Sequence, residues 1–363
     1  PAAAVDLLDD MLAIRELEEM IVRLRSGGYE PLSGYAYRGP THVSIGQEGT
    51  AVGASSVLWP TDRITSSHRG HGDAIAKGWF PGPRMFTAGA YVTVPGGGGE
   101  VSGLVDAGRI PARMREGVAK GEAEVSAKTD YILDQNVDWI KMIVTGAVLT
   151  DGTDVNASEY SEAEVRAAVE AAGKRGHFVT GHAHGAQGVK NAIRGGARSV
   201  EHASLIDDEG IALAKRHGTY LVMDIYNGDY IDTAGRKQGW SAESLQKNLD
   251  TTEAQRQGFG KAVRAGVNIA YGTDAGVYPH GENARQFPYM VRYGMTPMQA
   301  IQAATINSAR LLAREKDIGS IAPGKSADLA ALSCDPIEKI DCTTQVQWVM
   351  KAGESIKGKA NHD

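Results

Sequence analysis

Residues 178–204 read FVTGHAHGAQGVKNAIRGGARSVEHAS, and this stretch decides the fold. Phe178–His182 fits a short strand, Ser199–His202 fits a second, and a helix fits between them. Strand, helix, strand at this spacing implies parallel neighbours in an α/β sheet. His182 and His184 stand two apart where the first strand ends. Residues i and i+2 share a face, so both imidazoles can address one metal ion. The plainer alternative is a polar pair where a strand meets its loop.

The same grammar extends in both directions. Met85–Val94, Trp139–Thr145, Tyr220–Tyr226 and Asn268–Thr273 are further strand candidates, with helices between them. Ser161 and Glu164 form a capping box ahead of VRAAVEAAGKRG, which stops at Gly176. Thr296, Pro297 and Gln299 predict another helix start. The pattern gives six strand–helix units. A closed (β/α)8 barrel needs eight, so the first two units are expected to be missing. After about Asp317 the run IGSIAPGKSADLAALSCDPIEKI predicts a small β region. Residues 6–26 instead carry a helical apolar stripe. The expected division is a helical segment over 1–78, a partial barrel over 79–316 and a β region over 317–363.

Composition excludes several classes. The chain has 363 residues, 42% hydrophobic and only 6% aromatic, with a formal charge of −6. That charge leaves no basic footprint for nucleic acid. No apolar run reaches the ~18 residues a membrane helix needs. The acidic opening PAAAVDLLDDMLAIRELEEM does not read as a signal peptide. Cys334 and Cys342 offer neither a disulfide framework nor a zinc spacing, and read as two ordinary thiols of a cytoplasmic protein.

Charged residues stand at other strand ends. Lys141 lies inside the apolar run DWIKMIVTG, where an unpaired ammonium is costly. Either its amine is set up to react or pair, or its stem packs while its head reaches solvent. SVEHAS puts His202 at a strand end, and IAYGTDAG does the same for Asp274. Catalytic groups of (β/α) barrels gather at these carboxyl ends.

Residues 79–363 resemble the amidohydrolase superfamily, most of all its metal-dependent dipeptidases and carboxypeptidases, the prolidase-like branch related to imidazolonepropionase. DWIKMIVTG, the 178–204 stretch, GTDAGVYPHGENARQF, MTPMQAIQAATINSARLL and IGSIAPGKSADLAAL carry the likeness. It implies a TIM-barrel-type fold and metal-dependent hydrolysis of an amide or peptide bond in a dipeptide or N-acyl amino acid. It implies one or two divalent metals, zinc first, with Lys141 carboxylated and bridging. His182 and His202 would be ligands, with His184 beside the first and outside the ligand set. Asp274 would bind metal and move a proton, and His280 would touch substrate. A homo-oligomer is also implied. One departure stands out: the family opens its barrel with a strand ending in His-x-His. Histidines occur at 42, 68, 71, 177, 182, 184, 202, 217, 280 and 362, and the only His-x-His is 182/184. A site without the first pair would hold one metal at best, and a non-catalytic binding protein is the alternative reading.

Residues 1–78 resemble a different family, the start of the α subunit of thiamin-diphosphate-dependent 2-oxo acid dehydrogenases. MLAIRELEEM, HVSIGQEGTAVGASSVL and DRITSSHRGHGDAIAKG carry this second likeness. It would place Arg69 at the cofactor's diphosphate, with His68 and His71 beside it. That family also needs a Gly-Asp-Gly segment for magnesium, and none occurs. The two likenesses meet at DAIAKG, so a chimera is the expectation, with thiamin-diphosphate chemistry the remotest functional alternative.

Overall fold

The computed structural model describes residues 83–100 and 116–357. The segment 1–78, with His68, Arg69 and His71, lies outside the described residues.

A parallel sheet forms the centre. Its strands are β1 (Trp139–Ile143), β2 (Phe178–Ala183), β3 (Ser199–His202), β4 (Tyr220–Val222) and β5 (Ile269–Ala270), and they lie side by side in chain order. Helices connect them: α1 (Glu122–Leu133) precedes β1, then α2 (Glu162–Lys174), α3 (Ala186–Arg194), α4 (Asp208–His217) and α5 (Ala242–Ala265) fill the crossovers. Parallel neighbours require such crossovers, because no tight turn can reverse the chain twice.

Pleating gives the sheet two unlike faces. On one, Met142, Gly181, Val200, Leu221 and Ile269 fall in one cross-strand layer. The apolar members are at most 3% exposed and share a core with Val165, Ala168, Val189, Ala192 and Ile193 of the helices. Each Val, Leu, Ile or Met among them contributes roughly 1.5–3 kcal/mol by leaving water. The other face is polar. Lys141, Thr180 and Ser199 align in one layer, and Ile143, His182 and Glu201 in the next. Thr180 Oγ1 donates to Glu201 Oε1 at 2.6 Å, and Ser199 Oγ lies 2.8 Å from both. This face carries the candidate site residues Lys141 and His182.

Local signals behave as the sequence predicts. The Ser161–Glu164 capping box closes the start of α2, and Thr296 with Gln299 closes that of α7 (Pro297–Gln302), which follows α6 (Gln286–Arg292). Ser199–His202 forms as predicted and β2 runs one residue further than predicted, but the other strands are shorter. Tyr220–Tyr226 pairs only to Val222, and Asn268–Thr273 only over Ile269–Ala270. Beyond these points the chain leaves its neighbour to form the mouth of the sheet. Met85–Val94 contracts to single parallel bridges, Val92 to Met142 and Thr93 to Val118, before Pro95 and four glycines end the extended run. Gly272 has no side chain for a packing reason: a Cβ there would sit 2.3 Å from Val222 Cγ1.

The C-terminal part is an antiparallel sheet of β6 (Leu329–Leu332), β7 (Val346–Lys351) and β8 (Glu354–Lys357). Between β6 and β7 the chain loops back, and a disulfide joins Cys334 to Cys342. The reading of these residues as two separate thiols is therefore corrected. A 3-10 turn at Ile340–Thr344 brings the second cysteine to a Cα separation of 5.7 Å, within bridging range. Among the described residues no helix is long and apolar enough to cross a membrane.

Candidate metal centre

Each candidate side chain stands at or near the carboxyl end of its strand. Lys141 lies mid-β1, half-buried. His182 lies on β2, and His184 follows one residue after that strand ends. His202 closes β3, Asp224 follows β4, and Asp274 follows β5.

The three imidazoles meet. Ring centroids are 4.4 Å apart for His182 and His202, 4.7 Å for His182 and His184, and 4.8 Å for His184 and His202. All three residues are at most 9% exposed. Ligand atoms of His182, His184 and His202 lie within 4.8 Å of one another, and so do those of His202, Asp224 and Asp274. His202 belongs to both sets.

The backbone aims these groups. Strand alternation would send His202 to the face of Val200, its neighbour two residues back. Instead His202 has φ 68° and Ala203 φ 46°. Rotation about N–Cα into the left-handed region carries Cβ across the sheet. Asp274, in the loop after β5, also has a left-handed φ, 50°. Non-glycine residues hold such angles at a cost of order 1–3 kcal/mol, and such strain gathers at functional sites. His184 is fixed by its backbone N–H, which donates to Thr145 Oγ1 at 3.0 Å.

Hydrogen bonds then set the rings. His202 Nδ1 donates to Asp224 Oδ1 at 2.9 Å. Asp224 also accepts from Gln255 Nε2 at 2.8 Å and from Asn227 Nδ2 at 3.0 Å. Asn227 Nδ2 reaches Asp274 Oδ2 at 3.4 Å, linking the carboxylates. His184 Nδ1 lies 2.8 Å from Ser204 Oγ. His182 Nε2 is sealed from solvent with no hydrogen-bond partner.

Burial governs the charges. It holds His182 well below the ordinary imidazole range, with the neighbouring His202, His184 and Lys141 acting in the same direction. His184 is lowered to about 3, again by burial first and then by His202. Both rings are therefore neutral, the state in which imidazole binds a metal. Burial also opposes charge on His202, but Asp224 outweighs it through charge and hydrogen bond, and the net shift is upward. The partner carboxyl is held below its usual range despite burial.

His182 and His202 thus fall in one cluster and Asp274 in the other, with His202 common to both, and Lys141 is near enough for its charge to act on both His182 and His202. His280 sits at the exposed end of the otherwise largely buried loop that leaves Asp274, outside both clusters. The sequence reading passed over Asp224 entirely and set His184 aside. Asp224 did carry a signal: an acidic residue inside the apolar run LVMDIY, the same anomaly that singles out Lys141.

The fit of a cation can be judged from these residues. A buried orphan nitrogen with two further imidazoles, adjoined through His202 by two carboxylates, offers donors suited to a divalent transition metal.

Known proteins resemble the chain over this same region. Ochratoxinase from Aspergillus niger is 30% identical over 316 residues, which is 80% of this chain and 64% of that protein. The chain therefore spans less than two thirds of that relative. A crystal structure of a Xaa-Pro dipeptidase with methionine in its active site superposes with TM-score 0.73 at 37% identity, covering 79% of this chain and 71% of the other. A prolidase complexed with N-methylphosphonate-L-proline gives TM-score 0.70 at 25% identity, over 79% and 72%. The sequence profile of the amidohydrolase family matches residues 69–356, well over half of the chain. On fold, strand-end donors and this match together, the chain belongs to the amidohydrolase family.

Proposed function

We propose that the chain hydrolyses an amide or peptide bond in a small substrate, a dipeptide or N-acyl amino acid, with a divalent metal, zinc first, at the strand ends. One observation carries this reading: His182 Nε2 is buried without a partner beside two more imidazoles, one of which, His202, also belongs to the cluster of Asp224 and Asp274. Such a nitrogen is costly unless something outside the chain binds it. Lys141, His182, His202 and Asp274 would hold the metal, Lys141 as its carboxylated form. When bound, a divalent cation there supplies Lewis acidity, polarising a carbonyl and making water a better nucleophile near neutral pH.

The chain's own groups do the rest. Asp274 is the base that takes a proton from the attacking water and returns it to the leaving amine. Asn227, bonded to both Asp274 and Asp224, holds the carboxylates in register. Asp224 keeps the Nδ1 proton on His202, which turns Nε2 toward the cluster. The loop after Asp274 packs Tyr278 against Tyr226, giving an apolar wall beside the acid. His280, on the same loop, would meet the substrate's polar end. The dipeptidase and prolidase named among the similar structures favour a peptide-like substrate.

The test is elemental analysis of the purified chain together with hydrolysis of a panel of dipeptides. Bound zinc, lost in His182→Ala and His202→Ala, with turnover that vanishes in Lys141→Ala, is the expected result. A metal-free protein whose content is unchanged by those substitutions removes the reading. A second reading, a metal-binding chain without turnover, rests on the single His-x-His in the sequence. Metal binding with no hydrolysis in added Zn²⁺ and bicarbonate would select it.

A further inference from the structure

We infer that His184 is a metal ligand, so that the cation is held by three imidazoles, His182, His184 and His202, rather than by two. The inference rests on the metal-site reading above and deepens it.

Geometry carries the argument. Ligand atoms of the three residues lie within 4.8 Å of one another, close enough that small ring rotations bring all three nitrogens onto one ion. Two of the rings have their Nδ1 occupied. His184 Nδ1 is at 2.8 Å from Ser204 Oγ, and His202 Nδ1 is at 2.9 Å from Asp224 Oδ1. Ligating histidines take this form: one ring nitrogen held by a hydroxyl or carboxylate, the other on the metal. The third ring, His182, presents a buried Nε2 without a partner. A structural role for His184 would need only its bonds to Ser204 and Thr145. It would not explain why the ring stacks at 28° and 4.8 Å on His202 while standing edge-on to His182.

The sequence supplies a reason for a third nitrogen. No other His-x-His exists in the chain. The pair at the end of β2 is where two imidazoles two residues apart meet in one cluster. Three imidazoles around one open position suit zinc, cobalt, nickel or copper and disfavour magnesium and calcium, which prefer oxygen.

The test uses the full chain and Co²⁺ alone, with no substrate. Co²⁺ is titrated while its visible absorption is followed, and X-ray absorption on the loaded wild type counts the imidazoles. Three imidazoles are expected. His184→Gln is expected to weaken Co²⁺ binding tenfold or more and to change the visible spectrum, while His217→Gln, an exposed helix-end control, changes neither. A count of two imidazoles, or unaltered affinity and spectrum in His184→Gln, overturns the role of His184 and leaves the other ligands standing. Absence of Co²⁺ binding in the wild type overturns the whole metal site. If His184→Gln fails to fold by circular dichroism, the wild-type imidazole count decides alone.

Discussion

Asp224 Oδ1 stands 2.9 Å from His202 Nδ1, and that contact joins the two donor clusters at the mouth of the sheet. The carboxylate is buried, accepts two further hydrogen bonds, and has no freedom to follow the ring if it turns.

Asp224→Asn keeps the shape but can no longer act as a charged acceptor. Metal affinity should fall about 10–100-fold, the usual effect of losing such an outer partner. Competition against a chelator of known affinity measures it. Unchanged affinity would show that the ring is oriented by packing alone.

Gly272→Ala places a Cβ against Val222 Cγ1. Overpacking of this kind costs about 1–3 kcal/mol. Urea denaturation should show the loss, and Val222→Ala in the same chain should recover most of it. Non-additivity of the pair is the decisive sign. Equal stability of Gly272→Ala and wild type would mean that β4 and β5 have room to part.

Ser161→Ala removes the side chain that caps α2 and half of its capping box. About 1 kcal/mol of stability should go with it. The same denaturation midpoint reads it out. No change would indicate that Glu164 alone, through its bonds to Ser161 N and Gly121 N, holds the helix start.

Glu159 gives the fold a pH dependence. Burial pushes its carboxyl up from 4.5 to about 7, against the hydrogen bond it accepts from Gly98 N. Between those values the folded chain binds a proton that the unfolded chain releases, so stability falls as pH rises through that window. Glu159→Gln should flatten this slope. Its melting temperature should drop less than that of the wild type between about pH 4.5 and about pH 7. Parallel slopes would mean that the carboxyl titrates as it does in water.

Much of this was legible in the sequence, for a physical reason. The Ser161–Glu164 and Thr296–Gln299 signals lie within four residues, so local chemistry decides them. The alternation of strand and helix follows from apolar periodicity, which also belongs to short segments. Strand ends were misjudged because pairing depends on the neighbour: Met223–Tyr226 is apolar enough for a strand, but β3 stops beside Val222. The Cys334–Cys342 bond needed the turn before β7, which two cysteines eight residues apart do not announce. The left-handed backbone at His202 and Asp274 had no glycine to advertise it.

All three imidazoles come from residues 182–202, a single β–α–β unit. The nitrogen donors are therefore local in sequence. Their settings are not: Thr145 before the unit fixes His184, and Asp224 and Gln255 after it fix His202. The oxygen side, at Asp224 and Asp274, comes wholly from later parts of the chain.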